Sequence, residues 1–374
     1  MSDIERVLIT GGAGFIGSHV ADALLARGYR VRALDNLSER VHGSTRKFPS
    51  HLDSEVETIE GDVCEPRDVE RSLAQIDAVF HFASAVGVGQ GLHEIEKYVD
   101  INNLGTAVLL EALRRRPVAK LVVASSMSVY GEGLYRDSRG ARCTPRPRSE
   151  ERLKAGRWDP VDARGALLEP AATPEDKVPV PESIYALSKY DQETMCLVFG
   201  RTYAVPVVAL RFFNVYGERQ ALSNPGAGVL ANFAARYLNG RPPLIFEDGR
   251  QRRDFVYVRD LAVGCVAALQ APAARDEVFN LGGGSSYSVL EVAQRLGSVL
   301  GRAHLEPQVC GNYRAGDIRH CFADISKAAA VLGYCPRIDL ETGLRELAGW
   351  LEGSLDEERS GAAKRELRRH GLAT

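Results

Sequence analysis

No apolar run in this chain reaches the roughly 18 residues that a membrane-spanning helix needs, so no membrane association is expected. Its seven cysteines (Cys64, Cys143, Cys196, Cys265, Cys310, Cys321 and Cys335) are scattered, odd in number and never spaced Cys-x-x-Cys. Neither a disulfide framework nor a thiolate metal site is expected from them, and the expected metal content is none. Charge of one sign is also lacking: 47 Lys and Arg against 49 Asp and Glu leave a net −2. Such a surface has no bulk attraction for nucleic acid or for an anionic membrane, and neither is an expected partner. The chain runs from Met1-Ser2-Asp3 straight into Val7-Leu8-Ile9 without the basic and apolar regions of a signal peptide, so the cytoplasm is the expected compartment. What remains is 374 residues, 45% hydrophobic and 26% charged. That suits a globular protein with one large α/β unit or two ordinary domains.

Residues 6–10 form an apolar, β-rich run that leads into Thr10-Gly11-Gly12-Ala13-Gly14-Phe15-Ile16-Gly17 and a helical pattern through Val20, Leu24 and Leu25. Gly28 stops that helix and Arg30–Leu34 starts a second strand, closing a βαβ unit of about 30 residues. In this context Gly11 permits the tight turn, Gly14 lets the backbone approach a pyrophosphate, and Gly17 lets the helix pack on the sheet. The helix N-terminus then offers N–H groups and partial positive charge to phosphates. Further strand-like runs at Val56–Ile59, Ala78–Phe82, Leu121–Ala124 and Val207–Phe212 alternate with helical segments. The expected fold is α/β, a Rossmann-type doubly wound parallel sheet with a smaller C-terminal α/β substrate domain. The expected division is 1–212 for the dinucleotide-binding domain, 213–352 for the substrate domain and 353–374 for a charged tail.

Asp35 ends the second strand about 20 residues after the glycines, where a carboxylate accepts hydrogen bonds from the adenosine ribose. It would repel a 2′-phosphate, so NAD is the expected cofactor rather than NADP. Asp62, in Glu60-Gly61-Asp62-Val63, is placed to meet the adenine. Far downstream, Tyr185-Ala186-Leu187-Ser188-Lys189 puts a phenol and an ammonium one helical turn apart. A free tyrosine, with a pKa of about 10, is a poor base at neutral pH. A neighbouring ammonium and a positive nicotinamide would both stabilise the phenolate. Tyr-x-x-x-Lys is by itself a common surface pattern, and its weight comes from following a dinucleotide turn. Ser126, at the end of the Leu121–Ala124 run, falls at the carboxyl edge of the sheet. Its hydroxyl can share a hydrogen bond with a substrate alcohol, although a serine there also suits a helix cap.

One stretch fits no minimal plan. About fifty residues, 132–181, separate Gly131 from the Tyr185 helix and are rich in Arg and Pro. A loop that long within a compact domain folds on its own or serves a function. It carries a short repeat, Asp137-Ser138-Arg139-Gly140-Ala141 and Asp162-Ala163-Arg164-Gly165-Ala166, framing Trp158, which suggests a small appended subdomain.

Together these residues resemble the extended short-chain dehydrogenase/reductase family that acts on nucleotide sugars. The likeness covers about 6–350 and rests on TGGAGFIGS at 10–18, His81-Phe82-Ala83, Asn102 in Asn-x-x-Gly-Thr, SSMSVYG at 125–131, YALSK at 185–189, RFFNVYG at 211–217, RDFVYVRD at 253–260 and RAGDIRHCFAD at 314–324. The resemblance implies that Phe15, Ile16, Asn36, Val63, Phe82, Ala83 and Asn102 join Gly11, Gly14, Gly17, Asp35, Asp62, Tyr185 and Lys189 around NAD. It implies that Asn214 and Arg253 contact the diphosphate of a nucleotide-diphosphate sugar, that Arg314 and Asp317 contact its nucleotide, and that the protein is a homodimer. Similar dehydratases carry Asp-Glu after the serine or threonine, and similar decarboxylases carry Glu before Val-Tyr-Gly, whereas Met127 and Ser128 stand here. The resemblance therefore favours 4-epimerisation with Ser126, Tyr185 and Lys189 as the catalytic set, on a dTDP- or UDP-hexose. A dehydratase or oxidoreductase on the same ligands, or a non-catalytic NAD-binding regulatory protein, stays open. The insertion resembles that of dTDP-L-rhamnose 4-epimerase-like members, which often carry two Cys-x-x-Cys pairs where this chain has its Asp-x-Arg-Gly repeats.

Overall fold

The computed structural model describes residues 4–43, 46–87, 94–220, 228–314 and 316–353. Seven strands form one sheet in the order Glu277–Leu281, Val207–Phe212, Lys120–Ser126, Ala78–His81, Arg6–Thr10, Arg30–Asp35, Glu57–Glu60. Every neighbouring pair is parallel. Parallel strands are buried on both faces, which explains why the central runs are apolar throughout rather than alternating. Val7 and Ile9 point into a core with Val20, Leu24, Leu261 and Cys265. Leu8 points the other way, among Val69, Leu109, Leu113, Cys196 and Phe199. The strand order reverses between Arg6–Thr10 and Ala78–His81, and that switch point opens a crevice at the carboxyl edge.

A second, smaller sheet joins Asn214–Tyr216 and Arg252–Tyr257 in parallel, with Ser286–Ser288 antiparallel and His320–Cys321 parallel to the latter. Its core holds Tyr216, Phe233, Tyr237, Leu296, Leu344 and Leu347. The chain does not divide cleanly at 212. The helix Val258–Gln270 buries Leu261, Cys265 and Leu269 in the main core, and Glu277–Leu281 is the edge strand of the main sheet. A parallel strand can be reached only by a crossover, so the chain leaves the large sheet and comes back to it. Beyond residue 353 the expected charged tail lies outside the described residues.

The insertion is folded. Leu134–Arg136 pairs antiparallel with both Arg142–Cys143 and Glu169–Ala171. Each Asp-x-Arg-Gly repeat is a turn organised by its aspartate. Asp137 Oδ1 accepts from the Arg139 and Ala141 N–H groups at 2.9 Å, and Asp162 Oδ1 from those of Arg164 and Ala166 at 2.8 and 2.9 Å. Gly140 and Gly165 follow at φ 78° and 84°, a conformation glycine adopts without strain. Trp158 lies 6.3 Å from the Tyr313 ring. Among the described residues no cluster of His, Cys, Asp and Glu could hold a metal ion.

A buried ion cluster holds the insertion to the smaller sheet. Arg319, 0% exposed, reaches Asp159 at 2.8 Å, Glu247 at 2.9 Å and Asp248 at 2.6 Å. Arg148 reaches Glu247 at 2.7 Å and donates to the Asp317 carbonyl at 2.6 Å. Glu132 accepts from the backbone N–H groups of Arg319 and His320 at 2.7 and 3.1 Å. Removing Arg319 leaves the buried Glu247 with Arg148 alone and takes the guanidinium from the part-exposed Asp159 and Asp248, and losing a partner of a buried charge costs more than the net worth of the pairing. Arg319→Leu is therefore expected to lower unfolding stability by about 2–3 kcal/mol, below the cost of a wholly unpaired buried charge, read as a fall in the urea midpoint. An unchanged midpoint would show that the cluster carries no such weight.

Candidate active site

The first strand ends at Thr10, and the chain turns at Gly11 with φ 70°. A Cβ at Gly17 would lie 2.3 Å from the Gly11 carbonyl oxygen, so only glycine allows the helix Phe15–Leu25 to sit this close to the turn. Gly14 caps that helix without a side-chain hydrogen bond, and its first turn holds no acidic residue. Free N–H groups and the positive end of the helix dipole thus face the crevice, as a pyrophosphate requires.

Asp35 accepts from the Ala13 N–H at 3.1 Å and the Leu37 N–H at 3.0 Å, with His42 Nε2 at 3.4 Å from its Oδ1. Asn36 donates to Asp62 Oδ2 at 2.9 Å, joining the loops after the second and third strands. Ser126 Oγ accepts from Ser128 N at 3.2 Å and from Ser128 Oγ at 2.9 Å, so it does cap the short turn Met127–Tyr130. With both lone pairs taken, only its own proton is left to offer, and Tyr185 lies within hydrogen-bonding reach.

These groups share one cavity of about 1010 Å³. Gly11, Gly14, Phe15, Ile16, Gly17, Asp35, Asn36, Asp62, Val63, Phe82, Ala83, Ser126, Tyr185, Lys189 and Asn214 all line it. Four expected residues do not. Asn102 is buried behind the wall, where it braces the loop after the fourth strand by accepting from Ala85 N at 2.7 Å and Ser84 Oγ at 3.0 Å. Arg253 donates to the backbone carbonyls of Arg252 and Arg319 at 3.0 and 2.9 Å and to that of Ile318. The Arg314 guanidinium stacks 4.4 Å from the Phe246 ring, and Asp317 is tied through its carbonyl to Arg148. The segment that carries Arg314 and Asp317 is held by the insertion, which the motif alone could not reveal.

The electrostatics differ from expectation at the acid–base pair. Burial raises the Tyr185 pKa above the ordinary phenol value, with the Ser126 hydrogen bond opposing it. Lys189 is buried as well, and loss of hydration pushes its pKa down to about 7. Its Nζ donates to Gln192 Oε1 at 2.5 Å. Desolvation thus outweighs the expected help of the ammonium to the phenolate in this structure.

Some residues escaped the sequence reading. Arg219, which pairs with Asp22 at 2.8 Å, lines the cavity from a segment two hundred residues from the glycine turn in sequence. His42 reaches it only through the loop after the second strand. Gln192 could have been found, because a residue three positions after Lys189 shares its helical face.

Gly17→Ala places a methyl against backbone that cannot yield, and is expected to weaken NAD affinity about tenfold or more by calorimetry. Wild-type affinity would show that the turn tolerates a wider helix approach.

The sequence matches the NAD dependent epimerase/dehydratase family over residues 7–153 and 165–282, and the gap falls within the insertion, around Trp158. It is 32% identical over 360 residues to a dTDP-L-rhamnose 4-epimerase from Burkholderia thailandensis, covering 95% of this chain and 97% of that one. Among solved structures, the UDP-glucose 4-epimerase of Thermotoga maritima with UDP-glucose superposes with a TM-score of 0.77 at 30% identity, covering 94% and 99% of the two chains. The UDP-glucuronic acid 4-epimerase of Bacillus cereus, in complex with UDP-glucuronic acid and NAD, gives 0.76 at 30% identity over 93% and 99%. With a family match over most of its length and a glycine turn that leads into an uncapped helix, the chain belongs to the NAD dependent epimerase/dehydratase family and takes NAD as its cofactor.

Proposed function

We propose that this protein is a nucleotide-sugar 4-epimerase acting on a dTDP- or UDP-hexose, with dTDP-L-rhamnose the first substrate to test. The observation that carries this reading is the distribution of carboxylates around the cavity. Among the described lining residues these are Asp35, Glu39 and Asp62, all at or just beyond the ends of the second and third strands. At the other end, around Ser126 and Tyr185, the positions a dehydratase would fill with acids hold Met127 and Ser128. Eliminating water needs a proton donor to the leaving hydroxyl, and those two side chains supply none.

The chain's own residues then divide the work. Tyr185 takes the proton of the C4 hydroxyl, and Ser126, limited to donating, holds the same oxygen in line. Lys189 stands one turn along the helix to favour the phenolate once a cationic ring lies beside it. Asn214 lines the cavity with its amide held by a hydrogen bond to the Asp254 carbonyl at 2.8 Å, and its polar side chain is the group we assign to the sugar or its phosphates. When bound, NAD supplies reversible hydride acceptance at the sugar carbon. The product alcohol recovers its proton from Tyr185.

The protein as we read it is a homodimer. Ile95, Val99, Leu104 and Leu187 are 52%, 45%, 51% and 46% exposed on adjoining helical segments that pack against one another. Apolar side chains grouped on neighbouring helices suit a self-complementary interface.

Tyr185→Phe is expected to cost at least about 10²–10⁴-fold in turnover while NAD stays bound. The assay incubates the protein with dTDP-L-rhamnose, UDP-glucose and UDP-glucuronate and resolves the product epimers. Deuterium from solvent should be absent at C4. Near-wild-type turnover by Tyr185→Phe, or C4 exchange, would sink the reading. Asp35 is expected to hold NAD over NADP by about tenfold or more in calorimetry, with Asp35→Asn narrowing the gap; equal wild-type affinities would contradict it.

A further inference from the structure

Lys189 forms no ion pair among the described residues, and its fixed partner is an amide. Gln192 is 0% exposed, and from its far side Nε2 lies 3.0 Å from His81 Nε2 and 3.4 Å from the Ala83 carbonyl oxygen. His81 is equally buried at the end of the strand Ala78–His81. Its Nδ1 lies 2.8 Å from Thr10 Oγ1 and its Nε2 lies 2.9 Å from Thr106 Oγ1.

The protons of this group do not all find acceptors. Thr10 Oγ1 accepts from the N–H groups of Phe82 and Ala83, both at 3.2 Å, so its single proton goes to His81 Nδ1. Thr106 gives its proton to the Asn102 carbonyl at 2.5 Å and can only accept from His81 Nε2. His81 is then the Nε2–H tautomer, kept neutral because burial pushes its pKa down to about 3. That tautomer faces the Gln192 NH2 donor to donor. Amide oxygen and nitrogen are assigned by such networks, and two arrangements relieve the conflict. If Lys189 is an ammonium, Gln192 turns its oxygen to it, and its NH2 meets the His81 N–H in a donor-to-donor contact that a shift of the His81 proton to Nδ1 relieves only by giving up the hydrogen bond from Thr10. If Lys189 is a neutral amine, the amide reverses, its oxygen accepting from His81 and its NH2 donating to Nζ.

Resting on the reading of Lys189 as part of the acid–base set, we propose that Gln192, oriented by His81, is the positioning residue that aims the Lys189 amine and couples its charge to the proton on His81. Gln192 acts through Lys189 and touches neither sugar nor cofactor. Of the other titratable groups on or against this helix, Glu193 and Cys196 raise the amine's pKa through space but less than burial lowers it, and no hydrogen bond or ion pair from this set to Nζ is seen among the described residues. Glu193 is taken by Arg211 at 2.6 Å and by Ser125 at 2.6 Å. Asp191 accepts from Asn103 at 2.8 Å, Cys196 is a buried thiol, and the Tyr98 ring meets that of Tyr185 at 6.0 Å.

The test uses Gln192→Glu, which keeps size and shape but adds a charge, and Gln192→Leu, which removes both hydrogen bonds. Lysine labelled with ¹³C at Cε, with Lys189 assigned by its loss in Lys189→Met, reports the amine's titration directly. Gln192→Glu should raise the Lys189 pKa by about one unit or more and move the pH profile of turnover the same way. Gln192→Leu should cut kcat about tenfold or more with little change in KM for the nucleotide sugar. If Gln192→Glu leaves the Lys189 titration in place, the proposal is overturned, whatever the activity. If the titration moves but no sugar epimer forms from any substrate tried, the positioning role stands and the functional reading falls.

Discussion

The contact between the helix Phe15–Leu25 and the turn before it sets the geometry of everything downstream. At Gly17 the two backbones lie so close that a single methyl would fall 2.3 Å from the Gly11 carbonyl oxygen. That closeness brings the helix N-terminus to the edge of the central strand, beside the point where the strand order reverses. The crevice exists because neighbouring crossovers leave in opposite directions there, and its floor is electropositive because the helix start is left uncapped. The loop carrying Ala83 closes against the same turn, so the wall of the cavity depends on that approach as well.

In the wall of the cavity and behind it, loss of hydration sets the state of the polar groups. Thr10, His81, Asn102, Thr106, Lys189 and Gln192 are nearly or fully excluded from water, and each must find its partner inside the fold. Burial raises the phenol of Tyr185 and lowers the amine of Lys189, so both move toward their neutral forms. The low dielectric that shifts these two groups also makes the surrounding hydrogen-bond count unforgiving.

The insertion meets a different problem with related means. A short segment of about fifty residues has too little apolar surface to fold unaided. Here aspartate side chains shape its turns, and Arg148 and Arg319 join it to the smaller sheet through Glu132, Glu247, Asp248 and Asp159. The same contacts hold the segment with Arg314 and Asp317, so the appended piece shapes the far side of the substrate domain.

Where spacing along one element was enough, the residues by themselves determined the answer. The glycine turn, Asp35 at a strand end and the Tyr185–Lys189 pair each depend on a repeat length of strand or helix, and all of them line one cavity. The parallel sheet followed from alternating β and α runs that were apolar throughout. Tertiary structure alone decided where the long polar side chains went. Arg253 turned to backbone carbonyls, Arg314 to an aromatic ring and Asn102 to the back of a loop, because a flexible or buried polar group goes to whichever partner the packing supplies. Tertiary structure also decided the return of Glu277–Leu281 to the large sheet, the entry of Arg219 into the cavity and the meeting of Gln192 with His81. Those contacts join segments distant in sequence, and no local period records them.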